Sequence, residues 1–300
     1  MAEAQRRNPT GGLQQRGEGL AAGLPPLLVA AERVASTVAQ GVHGRRRVGL
    51  GETFWQFRQY EIGDSPQSID WRQTAKSDRV FVREMEWEAA QSVWLWRDSS
   101  ASMDWRSSRE LPSKRERADL LLLALIVLLL RAGERVALLG EHVLPSSSRA
   151  ALIRMALSLE RQRAGDAPAR LPGIETLPRH AHVVLIGDFL SPLEEIQAEI
   201  RRFAERGLKG HVLQILDPAE ATLPYQGRIR FEGLEGEPPW LLGRAETVRE
   251  GYLKRLSLQT QGLIDICRGI GWTSGRHRTD ASSQAALLGL YAALSQRVGA

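Results

Sequence analysis

The sequence predicts an α/β protein with a doubly wound, mainly parallel sheet and a small β-rich region towards the N-terminus. From Ser92 onwards, short apolar segments alternate with longer segments of helical periodicity. Several of the short segments are wholly apolar, as expected for parallel strands that are covered by helices on both faces. With 300 residues, 43% of them hydrophobic and 25% charged, the chain has the composition of an ordinary globular protein.

The first 90 residues are predicted to contain a leader, one helix and a β-rich region. Residues 1–24 are rich in Gly, Gln and Arg, and we expect them to be a disordered leader. Apolar residues recur at helical spacing from Leu27 to Gln40, which predicts a helix. Gly49 to Glu88 mixes aromatic residues, turn dipeptides and short apolar runs. We therefore assign residues 25–90 to an N-terminal helix followed by a β-rich region.

Residues 91–225 carry the alternating pattern and form the predicted main domain. Four strands are predicted in it, at Val93–Trp96, Arg135–Leu139, His182–Ile186 and His211–Leu216. Three helices separate them, predicted at Arg115–Arg131, Arg149–Arg161 and Pro192–Arg206, the last opened by Ser191.

Residues 226–300 are predicted to be a C-terminal extension that docks on the same sheet. Its predicted elements are a strand at Arg228–Phe231, a helix at Ala245–Cys267, a short strand at Gly271–Thr273 and a closing helix at Ser282–Arg297.

Cysteine content and hydropathy favour a cytoplasmic protein with no membrane partner. Cys267 is the only cysteine, which excludes a disulfide framework and a CxxC-type zinc site and indicates a reducing compartment. The most apolar stretch, Leu120–Leu130, has about half of the roughly 20 residues that a membrane span needs. Because Asp119 and Arg131 flank it, we predict a buried helix there.

The net charge of +5 raises nucleic-acid binding as an alternative function. The basic residues are scattered among acidic ones, and the single compact cluster is Arg45–Arg47. That cluster is better explained as a solvated turn before a strand. We therefore expect a protein partner and keep nucleic-acid binding through Arg45–Arg47 as an alternative.

Carboxylates and hydroxyls follow two of the predicted strands. Asp98, Ser100 and Ser102 come after the first strand of the main domain, and Asp188 comes after the strand His182–Ile186. Ligands of doubly wound sheets bind at the carboxyl ends of the strands, and hard oxygen donors are those that Mg²⁺ prefers. The alternative is that the serines cap the following loop and helix and that Asp98 accepts backbone N–H bonds.

Two groups of residues resemble known families. The Asp98-x-Ser100-x-Ser102 loop resembles the metal-ion-dependent adhesion site of von Willebrand factor A domains. The chain from about Leu27 onwards resembles domain-of-unknown-function family 58, and the matching strings are Gly49-x-Gly51-x-x-Phe54, Arg58-x-Tyr60-x-x-Gly63-Asp64, Ile69-Asp70-Trp71-Arg72-x-Thr74-Ala75, Gly187-Asp188-Phe189 and Asp217-Pro218-x-Glu220-x-x-x-Pro224.

The resemblance implies a von Willebrand factor A-like fold and a partial adhesion site. In such a site Ser100 and Ser102 would coordinate the metal, while Asp98 and Asp188 would act largely through water. Mg²⁺ would bind weakly, and a partner's carboxylate would complete its shell. The resemblance also implies a MoxR-type AAA+ ATPase as the partner, in chaperone-like assembly or stress response.

This sequence departs from the family pattern at two positions. The strand before Asp98 ends in Arg97, where the family has an apolar residue, so we expect this charge to reach solvent or a carboxylate. The threonine of a full adhesion site has no evident counterpart: Thr176 lies close to Asp188 in sequence, and the loop around Gly165-Asp166 contains none.

The upstream signature has two interpretations. In the first, its charged residues form carboxylate pairs and its aromatic residues, Trp71 among them, supply core. In the second, the signature is a surface on which the partner docks. The residues in question are Arg58, Tyr60, Gly63, Asp64, Asp70, Trp71, Arg72 and Thr74.

Catalytic motifs are absent from the sequence. It contains no Gly-x-x-x-x-Gly-Lys phosphate loop, no His-Glu-x-x-His zinc helix and no Gly-x-Ser-x-Gly elbow. We therefore predict a non-enzymatic protein-interaction module. The alternative from another class is a metal-dependent phosphohydrolase that uses Asp98 and Asp188.

Overall fold

A computed structural model describes residues 26–43, 53–60, 69–76, 79–86, 91–162, 177–178, 181–234 and 238–295. The predicted leader, Arg45–Arg47, Gly63-Asp64, Thr176 and the side chain of Arg58 lie outside what it describes. The chain divides into two compact units, one made of residues 1–45 and 91–300 and the other of residues 46–90.

The larger unit begins with helix α1 (Pro26–His43), close to the predicted helix. Leu28, Ala31, Ala35 and Val38 are buried at a spacing of three to four residues, so they form one apolar face. This face belongs to the main core of the larger unit. From the sequence we assign this helix and the β-rich region to one segment, residues 25–90. The structure places the helix in the larger unit and the β-rich region in the smaller one.

The smaller unit is built on an antiparallel pair. Strand β1 (Thr53–Gln59) pairs with β2 (Phe81–Glu86), and the four-residue helix α2 (Trp71–Thr74) lies between them in sequence. Asp70 caps α2, because its Oδ1 accepts a hydrogen bond from the Gln73 amide at 2.9 Å. Thr74 Oγ1 accepts from the Phe81 amide at 3.0 Å, which ties α2 to the start of β2.

The interpretation of Trp71 as a core residue is wrong. Its side chain is 68% exposed, and the neighbouring signature residue Tyr60 is 37% exposed. The apolar pattern of Ile69-Asp70-Trp71 was misleading because Trp71 is the first residue of a single helical turn that contains no buried residue. Asp70, by contrast, is buried and acts as the helix cap.

The larger unit contains one five-stranded parallel sheet. Its elements after α1 are, in order, β3 (Ser92–Arg97), α3 (Lys114–Arg131), β4 (Arg135–Leu138), α4 (Arg149–Arg161), β5 (His182–Gly187), α5 (Leu193–Glu205), β6 (Lys209–Leu216), α6 (Pro218–Thr222), β7 (Ile229–Phe231), β8 (Trp240–Leu242), α7 (Arg249–Gly269), β9 (Thr273–Arg278) and α8 (Ser283–Ser295). The strand order of the sheet is β4-β3-β5-β6-β9, and every neighbouring pair is parallel.

The strand order defines where ligands are expected. After β3 the chain forms β4 on one side of it, then returns to form β5 on the other side. The topological switch therefore lies between β3 and β5, and in doubly wound folds the crevice beyond the carboxyl ends of such strands binds ligands. The predicted fold class, a doubly wound parallel sheet, is confirmed.

Alternate residues of the strands pack into two cores. In β3, Val93 and Leu95 face a core formed with α1, α3, α4 and α8. Trp94 and Trp96 face the opposite core, formed with α5 and α7. This period of two is expected for a sheet that is covered on both faces.

The apolar stretch Leu120–Leu130 forms the middle of α3. Leu121 to Leu129 are all buried, which confirms the predicted buried helix. In the described part of the chain, no helix combines the length and apolar character that a membrane span needs.

The C-terminal extension contributes β9 to the sheet, beside β6. Two predicted elements differ from the structure. Ile229–Phe231 pairs with β8 in a separate two-stranded antiparallel sheet, and the last strand begins only at Thr273. The N-cap position of α5 is also taken by Pro192, not by the predicted Ser191, and no side chain makes a capping bond there.

Candidate functional site

The site begins where β3 ends. The amide of Asp98 donates to the carbonyl of Ile186 at 2.8 Å and so continues the pairing of β3 with β5. The Oδ1 of Asp98 accepts from the amide of Ser100 at 2.8 Å. Gly187 permits this arrangement, because a Cβ at that position would lie 2.9 Å from the Cβ of Asp98.

The two serines and Asp188 form a chain of hydrogen bonds. The Oγ atoms of Ser100 and Ser102 lie 3.0 Å apart, and Ser102 Oγ donates to Asp188 Oδ2 at 2.8 Å. Ser100 occupies the N-cap position of a 3-10 helix at Ala101–Asp104, but its side chain makes no capping bond there. The structure thus brings the predicted site residues together at the switch between β3 and β5.

Lys114 is a site residue that sequence reasoning missed. It is the first residue of α3, and its side chain is fully buried. Its Nζ lies 2.9 Å from Asp188 Oδ2 and 2.6 Å from Glu220 Oε1. A buried ammonium at the positive end of a helix is unfavourable, so these two carboxylates must offset its cost.

Glu220 is positioned by the cap of α6. Asp217 Oδ1 accepts from the Ala219 amide at 2.8 Å, while Glu220 Oε2 accepts from the Asp217 amide at 2.8 Å. This capping box directs the other oxygen, Oε1, to Lys114. Asp217 Oδ2 also accepts from the amide of Ser107, which ties α6 to the loop that follows the serines.

The electrostatics of the cluster keep Lys114 charged. Burial alone would lower the pKa of Lys114, but the attraction of Asp188 and Glu220 outweighs it and raises the pKa. Burial raises the pKa of the Glu220 carboxyl, and Lys114 opposes that effect. The ammonium and its two carboxylates therefore form a desolvated, mutually dependent group.

Arg97 reaches a carboxylate, as its position in the strand required. Its Nε lies 2.8 Å from Asp119 Oδ1, and both side chains are fully buried. The same guanidinium donates to Gln162 Oε1 at 3.0 Å and to the carbonyl of Asp98 at 3.2 Å. Burial lowers the pKa of Arg97, and Asp119 opposes this.

Arg115 fixes the serine loop from the other side. Its guanidinium donates to Asp104 Oδ2 at 2.8 Å and to the carbonyls of Ser99 and Ser100 at 3.1 Å each. The backbone around the two hydroxyls is thus held by a buried cation.

The signature residues of the smaller unit have a different character. Asp70 and Thr74 make the local hydrogen bonds that hold α2, whereas Trp71 and Arg72 are exposed. Asp70 and Thr74 therefore stabilise the turn, while Trp71 and Arg72 lie on the surface. That Trp71 and Arg72 form a docking surface for a partner stays a prediction.

The fit of a divalent ion to the loop can be tested on geometry and charge. The 3.0 Å between the serine hydroxyls suits two neighbouring ligands of Mg²⁺, whose bonds of about 2.1 Å place such ligands roughly 3.0 Å apart. The carboxylate behind them, however, is already paired with Lys114. A divalent ion would lie close to that ammonium, and like charges roughly 5 Å apart repel by several kcal/mol even at an effective dielectric constant of about 20.

The spacing of the two serine hydroxyls thus fits a divalent ion. The positive charge of Lys114, however, would repel such an ion as long as the ammonium stays beside Asp188. Within the described residues, no group of three histidine, cysteine or acidic side chains is arranged to hold a metal.

Fold and site together define the class: a doubly wound parallel α/β protein that collects hydroxyls and carboxylates at its topological switch. The chain belongs to the family described as "Protein of unknown function DUF58", whose model matches residues 56–261. The family resemblance inferred from the sequence motifs is thereby confirmed.

Relatives occur in mycobacteria. The chain is similar to the uncharacterized protein Rv1480 of Mycobacterium tuberculosis strain H37Rv, with 26% identity over 280 residues that cover 87% of this chain and 85% of the relative. The uncharacterized protein Mb1516 of Mycobacterium bovis matches to the same extent.

Similar solved structures come from Bacteroides. One is the conserved hypothetical protein BatB from Bacteroides thetaiotaomicron, with a TM-score of 0.37 and 16% identity over 70% of this chain and 100% of that one. Another is an aerotolerance-related membrane protein from Bacteroides fragilis, with a TM-score of 0.40 and 14% identity over 69% of this chain and 100% of that one.

Proposed function

We propose that the chain is a non-enzymatic protein-interaction module of the von Willebrand factor A-like type. Its docking edge is the loop from Asp98 to Asp104, beyond the carboxyl ends of β3 and β5. The observation that carries the proposal is the hydrogen-bonded series Ser100, Ser102 and Asp188 at the topological switch. Two buried guanidinium groups, those of Arg97 and Arg115, donate to backbone carbonyls of this loop, which preorganises it for a partner.

The bonding of Ser102 supports binding over hydrolysis. A nucleophilic serine needs a neighbouring base that can take its proton. Ser102 donates to Asp188 Oδ2, but that oxygen also accepts from Lys114. The raised pKa of Lys114 keeps its amine protonated, so Lys114 is unsuited to act as the base.

The proposed partner is a MoxR-type AAA+ ATPase, in chaperone-like assembly or stress response. The support for it is the resemblance to the family, together with a polar, rigid loop that suits a protein surface. Docking through Mg²⁺ at Ser100 and Ser102 is kept as the alternative, because the charge of Lys114 favours docking without an ion.

Calorimetric titration tests the docking edge. A nucleotide-free MoxR-type ATPase from the same organism is titrated into wild type and into the Ser100→Ala/Ser102→Ala variant. We expect at least a tenfold loss of affinity in the variant, because both hydroxyls are removed from the edge. The matched control is Ser146→Ala/Ser148→Ala, another Ser-x-Ser pair with its hydroxyls 3.1 Å apart.

Equal binding by wild type and a folded Ser100→Ala/Ser102→Ala variant would show that the edge is not the docking site. Each titration is repeated in EDTA, and we expect unchanged affinity. A steep loss in EDTA would instead support the partner-dependent Mg²⁺ site.

The alternative, a metal-dependent phosphohydrolase, makes a different prediction. It requires turnover of a generic phosphoester in Mg²⁺ that disappears in Asp98→Ala. We expect turnover no greater than that of buffer.

A further inference from the structure

We propose that Lys114 is the resident cation of this site: its ammonium holds Asp188, Ser102 and Glu220 in the arrangement that a bound divalent ion would otherwise organise. The inference concerns the same edge as the proposed docking function. It does not depend on the partner, since it is tested on the chain alone.

The geometry around Asp188 points to this role. One oxygen, Oδ2, lies 2.8 Å from Ser102 Oγ and 2.9 Å from Lys114 Nζ. Lys114 therefore occupies the position from which a cation polarises the carboxylate and, through it, the serine hydroxyl. Its side chain is fully buried, while those of Asp188 and Glu220 are 6% and 16% exposed.

The surrounding elements are built to place this ammonium. Ser113, the N-cap of α3, and Glu116 form a reciprocal capping box that fixes Lys114 as the first residue of the helix. A second capping box, Asp217 with Glu220, supplies the other acceptor from α6. Two independent helix caps thus converge on one buried amine.

Residue choice agrees with this placement. Of the 40 basic residues in the chain only four are lysines, and one of them is buried here. A compact ammonium presents its donors as a point charge, much as a small metal ion does, whereas a planar guanidinium cannot.

Removal of the ammonium should create a metal site. Without it, Asp188 and the half-buried Glu220 become two carboxylates with no cation between them, and each such charge is costly in isolation. Together with the hydroxyl of Ser102 they offer the hard oxygen donors that Mg²⁺ and Mn²⁺ prefer. We therefore expect Lys114→Met to gain affinity for a divalent ion.

The experiment measures Mn²⁺ binding by electron paramagnetic resonance on the purified full chain. Wild type and the control Lys209→Met, which removes an exposed lysine at the start of β6, should bind Mn²⁺ weakly and equally. Lys114→Met should bind at least tenfold more tightly, and its thermal midpoint should rise with Mn²⁺. The further change Asp188→Asn in the Lys114→Met background should abolish the gain.

Two results would overturn the inference: wild type that binds Mn²⁺ as tightly as Lys114→Met, or a folded Lys114→Met that shows no gain. If Lys114→Met does not fold, Lys114→Gln takes its place, because its neutral amide can still donate to one carboxylate and both Asp188 and Glu220 stay as metal donors. The thermal midpoint of wild type gives a test that needs no variant. If it falls in EDTA, a metal ion already holds the site and the inference is wrong.

Discussion

Trp71 lies on the surface of the smaller unit, although its sequence neighbourhood suggested a core position. Its indole is 68% exposed, and the turn that carries it is held by Asp70 and Thr74. Single exposed aromatic side chains are common on protein surfaces, so partner docking at Trp71 stays a prediction.

We therefore expect Trp71→Ala to change the free energy of unfolding by less than about 1 kcal/mol, because little packing is lost. The matched control is Trp272→Ala, since Trp272 is 4% exposed and its Nε1 donates to the Leu208 carbonyl. That variant should lose about 3–5 kcal/mol. Urea unfolding followed by circular dichroism measures both, and a loss at Trp71 similar to that at Trp272 would contradict the surface assignment.

Some site residues could be predicted from the sequence and others could not, depending on whether one element or two distant elements position them. Asp98 and Asp188 were predictable because each directly follows an apolar strand, and parallel strands end at one edge. Lys114 and Glu220 were missed because their contact joins a helix start to a cap 106 residues later. The available signals were the two capping boxes, Ser113-x-x-Glu116 and Asp217-x-x-Glu220.

At the scale of elements, burial decided which predictions succeeded. The buried strands β3 to β6 were predictable from their apolar runs, and the amphipathic helix α4 was predicted at its observed ends, Arg149–Arg161. Strand β9 is an edge strand with the sequence Thr-Ser-Gly-Arg-His-Arg, so it carries no apolar run. Only pairing with β6 makes it a strand, and that information is not local.

The contact between β6 and the turn before β9 depends on Gly210. A Cβ at Gly210 would lie 2.3 Å from the Trp272 ring, which is buried. We expect Gly210→Ala to destabilise the fold by about 1–3 kcal/mol, because the indole or the strand must shift.

The control for this prediction is Gly251→Ala, in the exposed first turn of α7, where an added Cβ meets nothing within 4 Å. That change should be neutral or stabilise by up to about 1 kcal/mol, since alanine favours helix. The thermal midpoints of Gly210→Ala and Gly251→Ala are compared. Similar midpoints would show that the Trp272 ring does not exclude a side chain at position 210.

At the scale of the whole molecule, acid should weaken the fold partly through His277. Burial and the nearby Arg117 lower the pKa of His277 to about 4, with Asp280 opposing. An unfolded chain has a histidine pKa near 6.5. As pH falls from about 6.5 to about 4, the unfolded chain therefore gains a proton that the folded chain does not.

We expect protonation linked to His277 to lower the free energy of unfolding by up to about 3 kcal/mol as the pH falls from about 6.5 to about 4. Above about pH 6.5 we expect no effect of this histidine. Urea unfolding at a series of pH values measures the slope in wild type, in His277→Gln and in the control His142→Gln, whose side chain is exposed. The slope of unfolding free energy against pH should become smaller in His277→Gln and stay unchanged in His142→Gln. Identical slopes in all three would assign the acid sensitivity to other groups.

The larger unit is discontinuous in sequence, and this has a consequence for its synthesis. Helix α1 packs against α3 and α8, so its apolar partners end at residue 131 and at residue 295. On the ribosome, α1 emerges well before either partner has been translated, and its apolar face stays uncovered meanwhile. Contacts of such long sequence separation slow folding and leave nascent chains open to aggregation, so the apolar face of α1 is the part of this unit that we expect to need protection during translation.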